Sequence, residues 1–391
     1  MAIRNFMKKY LIVGVGILVI SLIINQQRLK NKEEILGEKL INEPIKIGAI
    51  YDLSGVSADI GKAFLEGTEI ALGEINSQGG INGRNIEIIY EDGKDLAAKP
   101  SVDAAQKLIN VNKVNAILDI SYSGLGAMQK LAEDSQTPIL DTIDASREIA
   151  SFGDWVFGVG IHTEGVGRQV AEFAKNELQI TSAAILVGKD EYLLASTNSF
   201  MEAFENLGGK IVIREEFVIG TTDFRTQLVK IKNSRAEAIF FSHLGEGGYG
   251  IKQAAELGFK GYFLGTDPMS IADVSKVAGN ALNDKTFFAL WRNFDELTDR
   301  QKQFAEKYKQ KYGKEPGDYM FYNVLGYDGL MVLAEAMQNS ELTGKGIKDA
   351  RYKIQSFDGL SGPITIDETG INRDPKSAIV MYKEGKIVRY K

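Results

Sequence analysis

A chain of 391 residues with 44% apolar and 25% charged residues is too long for one compact lobe and has the composition of a folded protein. Its net charge of −6 gives no reason to expect a nucleic-acid partner. The absence of cysteine excludes disulfides, thiolate metal sites, a cysteine nucleophile and a lipid-modified amino-terminal cysteine. The two histidines, His162 and His243, leave little for a histidine-based metal site, and we expect neither a metal nor a cofactor.

The amino terminus differs from the rest of the chain in charge and hydropathy. Three basic residues precede residues 10–24, a run without charged side chains. This run fits an uncleaved membrane anchor, and it also fits the core of a cleaved export signal. No small-x-small cleavage site follows it, which favours the anchor. We assign residues 1–30 to the signal or anchor and 31–44 to a tether. In both cases the remaining chain lies outside the cytoplasm, in the periplasm or at the cell surface.

The first structural unit is predicted between residues 45 and 90. Apolar residues alternate over 45–49 and then recur at helical spacing over 64–75, which predicts a strand followed by a helix. Glycines at 79–83 end the helix and turn the chain into a second strand at 86–90. The loop at 52–55 therefore lies at the carboxyl end of the first strand, where open parallel sheets bind ligands.

Strand and helix signals continue to alternate along the chain. Strands are predicted at residues 114–120, 138–140, 183–187, 210–217, 238–241 and 261–265. Helices are predicted at residues 125–135, 165–178, 195–207, 223–233, 250–257, 299–312 and 321–338. A closing β segment is predicted at 362–366 together with 378–388. This alternation predicts an α/β fold with two doubly wound parallel-sheet lobes.

Several motifs in the first unit carry a family resemblance. Leu53-Ser54-Gly55, Gly61, Glu74-Ile75-Asn76, the glycine turn at 79–83 and Asp92 occur at the spacing of type I periplasmic solute-binding proteins. The chain most resembles the Leu/Ile/Val-binding receptors of ABC transporters, from about residue 45 to residue 391.

The resemblance implies how the lobes are organised. The chain is expected to cross between lobes near residues 161–163, 291–293 and 361–363. The first lobe is then 45–162 plus 292–361, and the second is 163–291 plus 362–391. Two lobes joined by a three-strand hinge close on a ligand in the cleft between them.

The resemblance also implies that an amino acid is held at both ends. Ser121, Tyr122 and Ser123 follow a predicted strand and open a helix, whose free N–H groups suit a ligand carboxylate. The alternative is that Ser123 only caps the helix. Asp267 corresponds to an acidic residue that binds the ligand's ammonium group. Its alternative reading is a helix N-cap, because Pro268 follows it.

Other candidates depart from the family pattern. Ala145 stands where relatives have a threonine, so Ser146 is the available hydroxyl. Tyr192 matches a cleft tyrosine, whereas His243 falls where leucine-type receptors have another tyrosine. These differences indicate a ligand other than leucine. The predicted ligand-binding residues are Ser54, Ser121, Tyr122, Ser123, Ile143, Ala145, Ser146, Tyr192, His243 and Asp267.

A competing motif lies at residues 245–250. The sequence GEGGYG matches GxGxxG, and Asp267 follows Gly247 by twenty residues, as in dinucleotide-binding oxidoreductases. The predicted helix is short, and glycines also allow a turn to approach other groups closely. No G-x-S-x-G motif or histidine triad is present, so we expect no enzyme.

The sequence therefore predicts the extracytoplasmic substrate-binding protein of an ABC importer. It would bind an amino acid or close analogue by hinge closure and dock on ABC permease subunits. The alternative is a ligand-sensing ectodomain that works with a separate membrane receptor.

Overall fold

The structure is a computed structural model that describes residues 43–390, apart from 56, 95–97, 162, 291–296 and 374–376, together with residue 27. The predicted anchor at 10–24, nearly all of the tether and the crossing at 291–293 lie outside the described residues. The side chains of Tyr122 and Ser123 also lie outside them. In the part of the chain that is described, no helix has the length and apolarity needed to cross a membrane.

The first sheet contains five parallel strands. They are β1 (Ile45–Tyr51), β2 (Ile86–Asp92), β3 (Ala116–Asp119), β4 (Ile139–Asp141) and β5 (Val156–Gly158). The helices that follow these strands are α1 (Ala58–Ser77), α2 (Ala98–Lys107), α3 (Tyr122–Ser135) and α4 (Arg147–Ser151), and α2 continues into a π-helical turn at Leu108–Asn112. The strand order is β2-β1-β3-β4-β5. Every residue of β3, β4 and β5 is buried, as expected for parallel strands covered on both faces.

The second sheet repeats this order in its parallel part. The parallel strands are β6 (Ser182–Gly188), β7 (Lys210–Phe217), β8 (Ala238–Ser242), β9 (Tyr262–Gly265) and β10 (Thr286–Leu290). Its helices are α5 (Thr163–Asn176), α6 (Glu191–Asn206), α7 (Arg225–Asn233), α8 (Gly247–Glu256) and α9 (Ala272–Ala278), with 3-10 turns at Asp267–Ser270 and Gly279–Leu282. The order β7-β6-β8-β9-β10 matches that of the first sheet, so the predicted α/β fold with two doubly wound sheets is confirmed.

Helices late in the chain pack on the first lobe. They are α10 (Asp299–Tyr312), α11 (Met320–Gln338), which a 3-10 turn at Gly317–Tyr319 precedes, and α12 (Gly344–Arg351). A Cβ atom on Gly67 of α1 would lie 1.8 Å from the carbonyl oxygen of Asn323 in α11. The Asn323 side chain donates to the carbonyl of Ala63 at 2.8 Å. This contact between helix backbones requires a glycine at position 67, and it positions the first turn of α11 beside the cleft.

The last segment differs from the prediction. The short strands β11 (Phe357–Asp358) and β12 (Pro363–Ile364) pair with each other, so the two parts of the predicted closing segment, 362–366 and 378–388, belong to different pairs of strands. Instead, Gly158 of β5 donates to the Gly370 carbonyl at 3.1 Å and accepts from the Asn372 amide at 2.8 Å. The chain joins the second sheet only at β13 (Ala378–Lys383), which lies antiparallel to β10 and to β14 (Lys386–Arg389). The point at which the chain joins the second sheet therefore lies C-terminal to the crossing predicted at 361–363.

Candidate ligand-binding cleft between the two sheets

A cavity of about 50 Å³ lies where the carboxyl-terminal ends of strands from both sheets face each other. Each sheet has a topological switch point at this edge, between β1 and β3 and between β6 and β8, where open α/β sheets bind ligands. The first lobe contributes Asp52, Ser57, Ile60, Ile120, Ile143, Asp144 and Tyr322 to the lining. The second lobe contributes Tyr192, Leu244, Asp267, Pro268 and Ile271.

The Asp267 carboxylate is the buried charge that the second lobe presents to this cavity. Asp267 begins the turn after β9, and Thr266 occupies the N-cap position, so the alternative reading of Asp267 as a helix cap is wrong. Its Oδ1 accepts a hydrogen bond from the Tyr192 hydroxyl, and its Oδ2 lies 3.5 Å from the hydroxyl of Tyr322. Burial raises the pKa of Asp267 to about 6, and the two tyrosine hydroxyls oppose this rise, so the carboxylate is mostly ionised at neutral pH.

Tyr192 is positioned by the start of α6. Asp190 is the N-cap of this helix, and its carboxylate accepts from the amide of Leu193 at 3.2 Å. Burial and the neighbouring charges of Asp267 and Asp144 keep the pKa of Tyr192 well above its ordinary value. The hydroxyl therefore stays protonated and acts as a donor to Asp267.

Carboxylates also gather at the strand ends of the first lobe. Asp52 follows β1, Asp119 ends β3, Asp141 ends β4, and Asp144 lies three residues further on; all four are buried. Burial, with the charge of Asp52 as a smaller cause, raises the pKa of Asp119 to about 8. Burial and the charges of Asp119 and Asp144 raise the pKa of Asp141 well above its ordinary value. Asp119 is therefore largely protonated at neutral pH in the empty protein.

Two of the predicted hydroxyl sites have partners within the chain. Ser54 is exposed and donates to Asp92 at 2.5 Å, and it does not line the cavity. Ser121 is buried and donates its hydroxyl to Asp119 at 2.9 Å. The structure begins α3 at Tyr122 with Ser121 in the N-cap position, so the alternative that Ser123 caps this helix is wrong.

The turn after β4 contributes an apolar side chain to the cavity, whereas the sequence predicted a hydroxyl from this turn. Ile143 lines the cavity, whereas Ala145 and Ser146 are buried and do not. The Ser146 hydroxyl has no hydrogen-bond partner among the described residues. Of the predicted residues whose side chains are described, Ile143, Tyr192 and Asp267 meet at the cavity.

His243 is packed beneath the cleft instead of lining it. Its Nε2 lies 3.3 Å from the Met269 sulfur, and its ring meets that of Phe241 edge to face at 5.1 Å. Burial lowers the pKa of His243 to about 4, so the ring is neutral at pH 7.

A Cβ atom on Gly247 would lie 2.1 Å from the His243 Nε2, and one on Gly250 would lie 2.2 Å from the Phe241 ring. These two glycines of the GEGGYG motif allow α8 to pack against β8.

Sequence reasoning missed four polar residues of the lining, which are Asp52, Ser57, Asp144 and Tyr322. Asp52 and Asp144 lie in the loops at 52–55 and 143–146, which the sequence analysis already considered. The sequence signal that could have found them is an acidic residue close after a buried strand. Tyr322 comes from a helix far away in sequence, and no local signal marks it. Gly61 belongs to the family motif for a packing reason, since a Cβ atom there would lie 1.8 Å from the carbonyl oxygen of Asp52.

A larger groove of about 610 Å³ lies elsewhere, between α4 of the first lobe and α5 and α6 of the second. Arg147, Arg168, Glu172 and Glu202 are among the charged residues that line it. It is formed by helices and does not include the strand ends. The smaller cavity is therefore the better candidate for the ligand site, because it combines the switch-point position with convergent polar groups.

Two parallel sheets of the same strand order with a polar cleft between their carboxyl ends define the class of type I periplasmic binding proteins. Residues 44–386 match the family model described as periplasmic binding protein, and the chain belongs to this family.

Three proteins illustrate what this chain is similar to. The Leu/Ile/Val-binding protein of Escherichia coli (strain K12) is 23% identical over 335 residues, which cover 84% of this chain and 88% of that protein. The structure of the leucine binding protein LivK from Thermotoga maritima superposes with a TM-score of 0.80 at 26% identity, covering 89% of this chain and 98% of that one. A solute binding protein from Rhodopseudomonas palustris BisB5, in complex with 3,4-dihydroxy benzoic acid, has a TM-score of 0.78 at 23% identity, with 90% and 96% covered.

Proposed function

We propose that this protein is the extracytoplasmic substrate-binding component of an ABC importer and that it binds a small amine-bearing ligand, an amino acid or close analogue, between its lobes. The observation that carries the proposal is the buried Asp267 carboxylate, which faces the interlobe cavity with a tyrosine hydroxyl as its donor. A carboxylate in this position pairs favourably with an ammonium group.

Hinge closure accounts for how such a site works. We place the first lobe at 45–161 plus 297–373 and the second at 163–290 plus 377–390, following the sheet and helix contacts. The cavity lining comes from both lobes, so a ligand makes its full set of contacts only when they approach each other. Its higher affinity for the closed state shifts the population toward closure, and the closed form then docks on permease subunits.

The relatives support this class of function while their ligands vary. One relative is named for leucine, isoleucine and valine, whereas a protein of the same fold was crystallised with an aromatic acid. The proposal also includes export, with residues 10–24 either anchoring the protein to the cytoplasmic membrane or being removed. Amino-terminal sequencing of the mature protein separates these two forms.

Thermal-shift screening of the purified protein against amino acids, amides, amines and organic acids tests the proposal. A ligand at a hundred times its dissociation constant adds about 2.7 kcal/mol of stability. Small-angle scattering of the same samples should show compaction. Asp267→Asn should weaken binding strongly, whereas Asp273→Asn, an exposed aspartate on α9 of the same lobe, should not. The proposal is wrong if only ligands that lack an amino group raise the melting temperature.

A further inference from the structure

We propose that the ligand of the cleft is a compact amine-bearing molecule, about the size of glycine or alanine, and that Ile143 sets this size limit. This inference rests on the proposed function, because it names the size class of the ligand in the same cleft. It follows from the closed arrangement of the lobes, from the volume left between them and from the fixed position of the side chains that bound this volume.

The two lobes stand in a closed arrangement. The hydroxyl of Tyr322 in the first lobe lies 3.5 Å from the Asp267 carboxylate of the second. Burial is the main cause of the raised pKa of Tyr192 in the second lobe, and the charges of Asp267 and of Asp144 in the first lobe add to it. Because groups of opposite lobes already meet here, the cavity between them is close to the space that a bound ligand occupies.

The volume of this cavity is small. It is about 50 Å³. By the same measure one water molecule needs about 10–15 Å³, and a cavity of about 150 Å³ accommodates benzene. The closed cleft therefore has room for roughly four or five non-hydrogen atoms. Glycine is of about that size, whereas leucine has roughly twice as many atoms and would overlap the lining.

Branched apolar side chains form much of the lining. They are Ile60, Ile120 and Ile143 of the first lobe and Leu244 and Ile271 of the second. They share the cavity with Asp267, so a ligand held there by its amino group meets them with its other atoms. Isoleucine is branched at Cβ and therefore stiff at χ1, which limits how far these side chains can turn to admit a longer ligand.

The backbone of Ile143 is held on both sides. Its amide donates to Asp141 Oδ1 at 2.8 Å, and its carbonyl accepts from the amide of Ile161 at 2.8 Å. A Cβ atom on Gly160 would lie 2.1 Å from the carbonyl carbon of Ile143, so these two segments pack backbone against backbone. The Ile143 side chain therefore cannot retreat from the cavity, and it limits the length of the ligand.

Isothermal titration of the purified protein with two series of ligands tests the size class. The first series is glycine, alanine, valine and leucine, and the second is ethylamine, butylamine and hexylamine. In each series that binds, we expect the smallest members to bind most tightly, and leucine to bind on the order of 100-fold more weakly than glycine or alanine. Binding of the amines alone, with the same order of size, would support the same limit.

Substitution of Ile143 tests its role directly. Ile143→Ala removes apolar atoms from the lining, so leucine should bind about 10-fold or more tightly than it does to the unaltered protein. Ile143→Val should give an intermediate gain, and it serves if the alanine variant does not fold, which its melting temperature shows. Ile89→Ala is the matched control, because Ile89 is also a half-buried isoleucine of the first lobe but does not line the cavity. An unchanged ratio of leucine to alanine affinity in both Ile143 variants would overturn the assignment of Ile143.

The outcomes also separate this inference from the proposed function. If the unaltered protein binds leucine as tightly as alanine or more tightly, with compaction in the scattering profile, the size class is wrong and the binding-protein function stands. If no amine-bearing molecule of any size changes the melting temperature or the scattering profile, the proposed function fails and this inference fails with it.

Discussion

The hydroxyl of Tyr322 lies 3.5 Å from the Asp267 carboxylate, and the two residues come from opposite lobes. Tyr322 stands in the first turn of α11, which packs on the first sheet, whereas Asp267 follows β9 of the second. This contact spans the cleft and is formed only when the lobes are close together. It would link the proposed ligand binding at Asp267 to closure.

Tyr322→Phe should therefore weaken ligand binding without altering the fold. A neutral donor lost from a carboxylate at this distance costs about 0.5–1 kcal/mol, which corresponds to roughly a two- to fivefold rise in the dissociation constant. Tyr249→Phe, at an exposed tyrosine of α8, is the control and should change nothing. Titration calorimetry measures both variants, and an unchanged affinity in Tyr322→Phe would show that this contact does not favour closure.

The ligand-free protein should lose stability as the pH rises from 6.5 to 8. Asp119 has a folded-state pKa of about 8 against an ordinary value of 3.8, so over this interval the folded state holds a proton that the unfolded state has released. The free energy of unfolding therefore falls with rising pH. Below 6.5, the lowered pKa of His243 acts in the opposite direction. Urea denaturation at several pH values measures this slope.

Asp119→Asn should flatten that pH dependence, because the titrating group is removed. Asp134→Asn should keep the original slope, since this side chain is exposed. An unaltered slope in Asp119→Asn would contradict the buried, protonated state assigned to Asp119.

Two glycines of α1 should respond to alanine in opposite directions. In Gly67→Ala the new methyl group would lie 1.8 Å from the Asn323 carbonyl oxygen, so α11 must move and the protein should lose about 2 kcal/mol or more of stability. Apart from its chain neighbours and the backbone of its own helix, Gly73 has no heavy atom within 4 Å of the corresponding position, and alanine there should add about 0.5–1 kcal/mol through its helix propensity. Chemical denaturation distinguishes the two, and equal effects would refute the close packing of α1 on α11.

The GEGGYG segment offers a similar pair. Gly247→Ala should destabilise the protein by about 1–3 kcal/mol because its methyl group would overlap the His243 ring. Gly245 has open space and no left-handed φ angle, so Gly245→Ala should be nearly neutral. Thermal melting compares them. A stable Gly247→Ala protein would mean that packing on His243 does not require this glycine.

The strand and helix pattern was largely predictable because it depends on neighbouring residues. The predicted bounds of β7 and α10 agree with the structure. The strands β5 and β10 were missed, since a short apolar run without alternation does not distinguish a buried strand from other buried segments. The pairing of residues 363–364 with 357–358 was not predicted, because strand pairing depends on contacts that periodicity does not describe.

The candidate site was predictable in part. Asp267, Tyr192 and Ile143 were chosen from their positions after strands and from the family resemblance, and they line the cavity. The binding roles of the ten predicted residues stay predictions. Tyr322 could not be found this way, because its approach to Asp267 depends on how α11 packs on α1.

The sequence by itself determined the alternation of strands and helices, the position of polar loops at strand ends and the family to which the chain belongs. These features follow from local periodicity and from motif spacing, which can be read from the sequence without knowing which distant residues are in contact. Only the tertiary structure decided that Ser121 donates to Asp119 and that Asp52, Asp144 and Asp267 face one cavity. Burial, distance and hydrogen-bond geometry between remote segments set these relationships, and no local pattern encodes them.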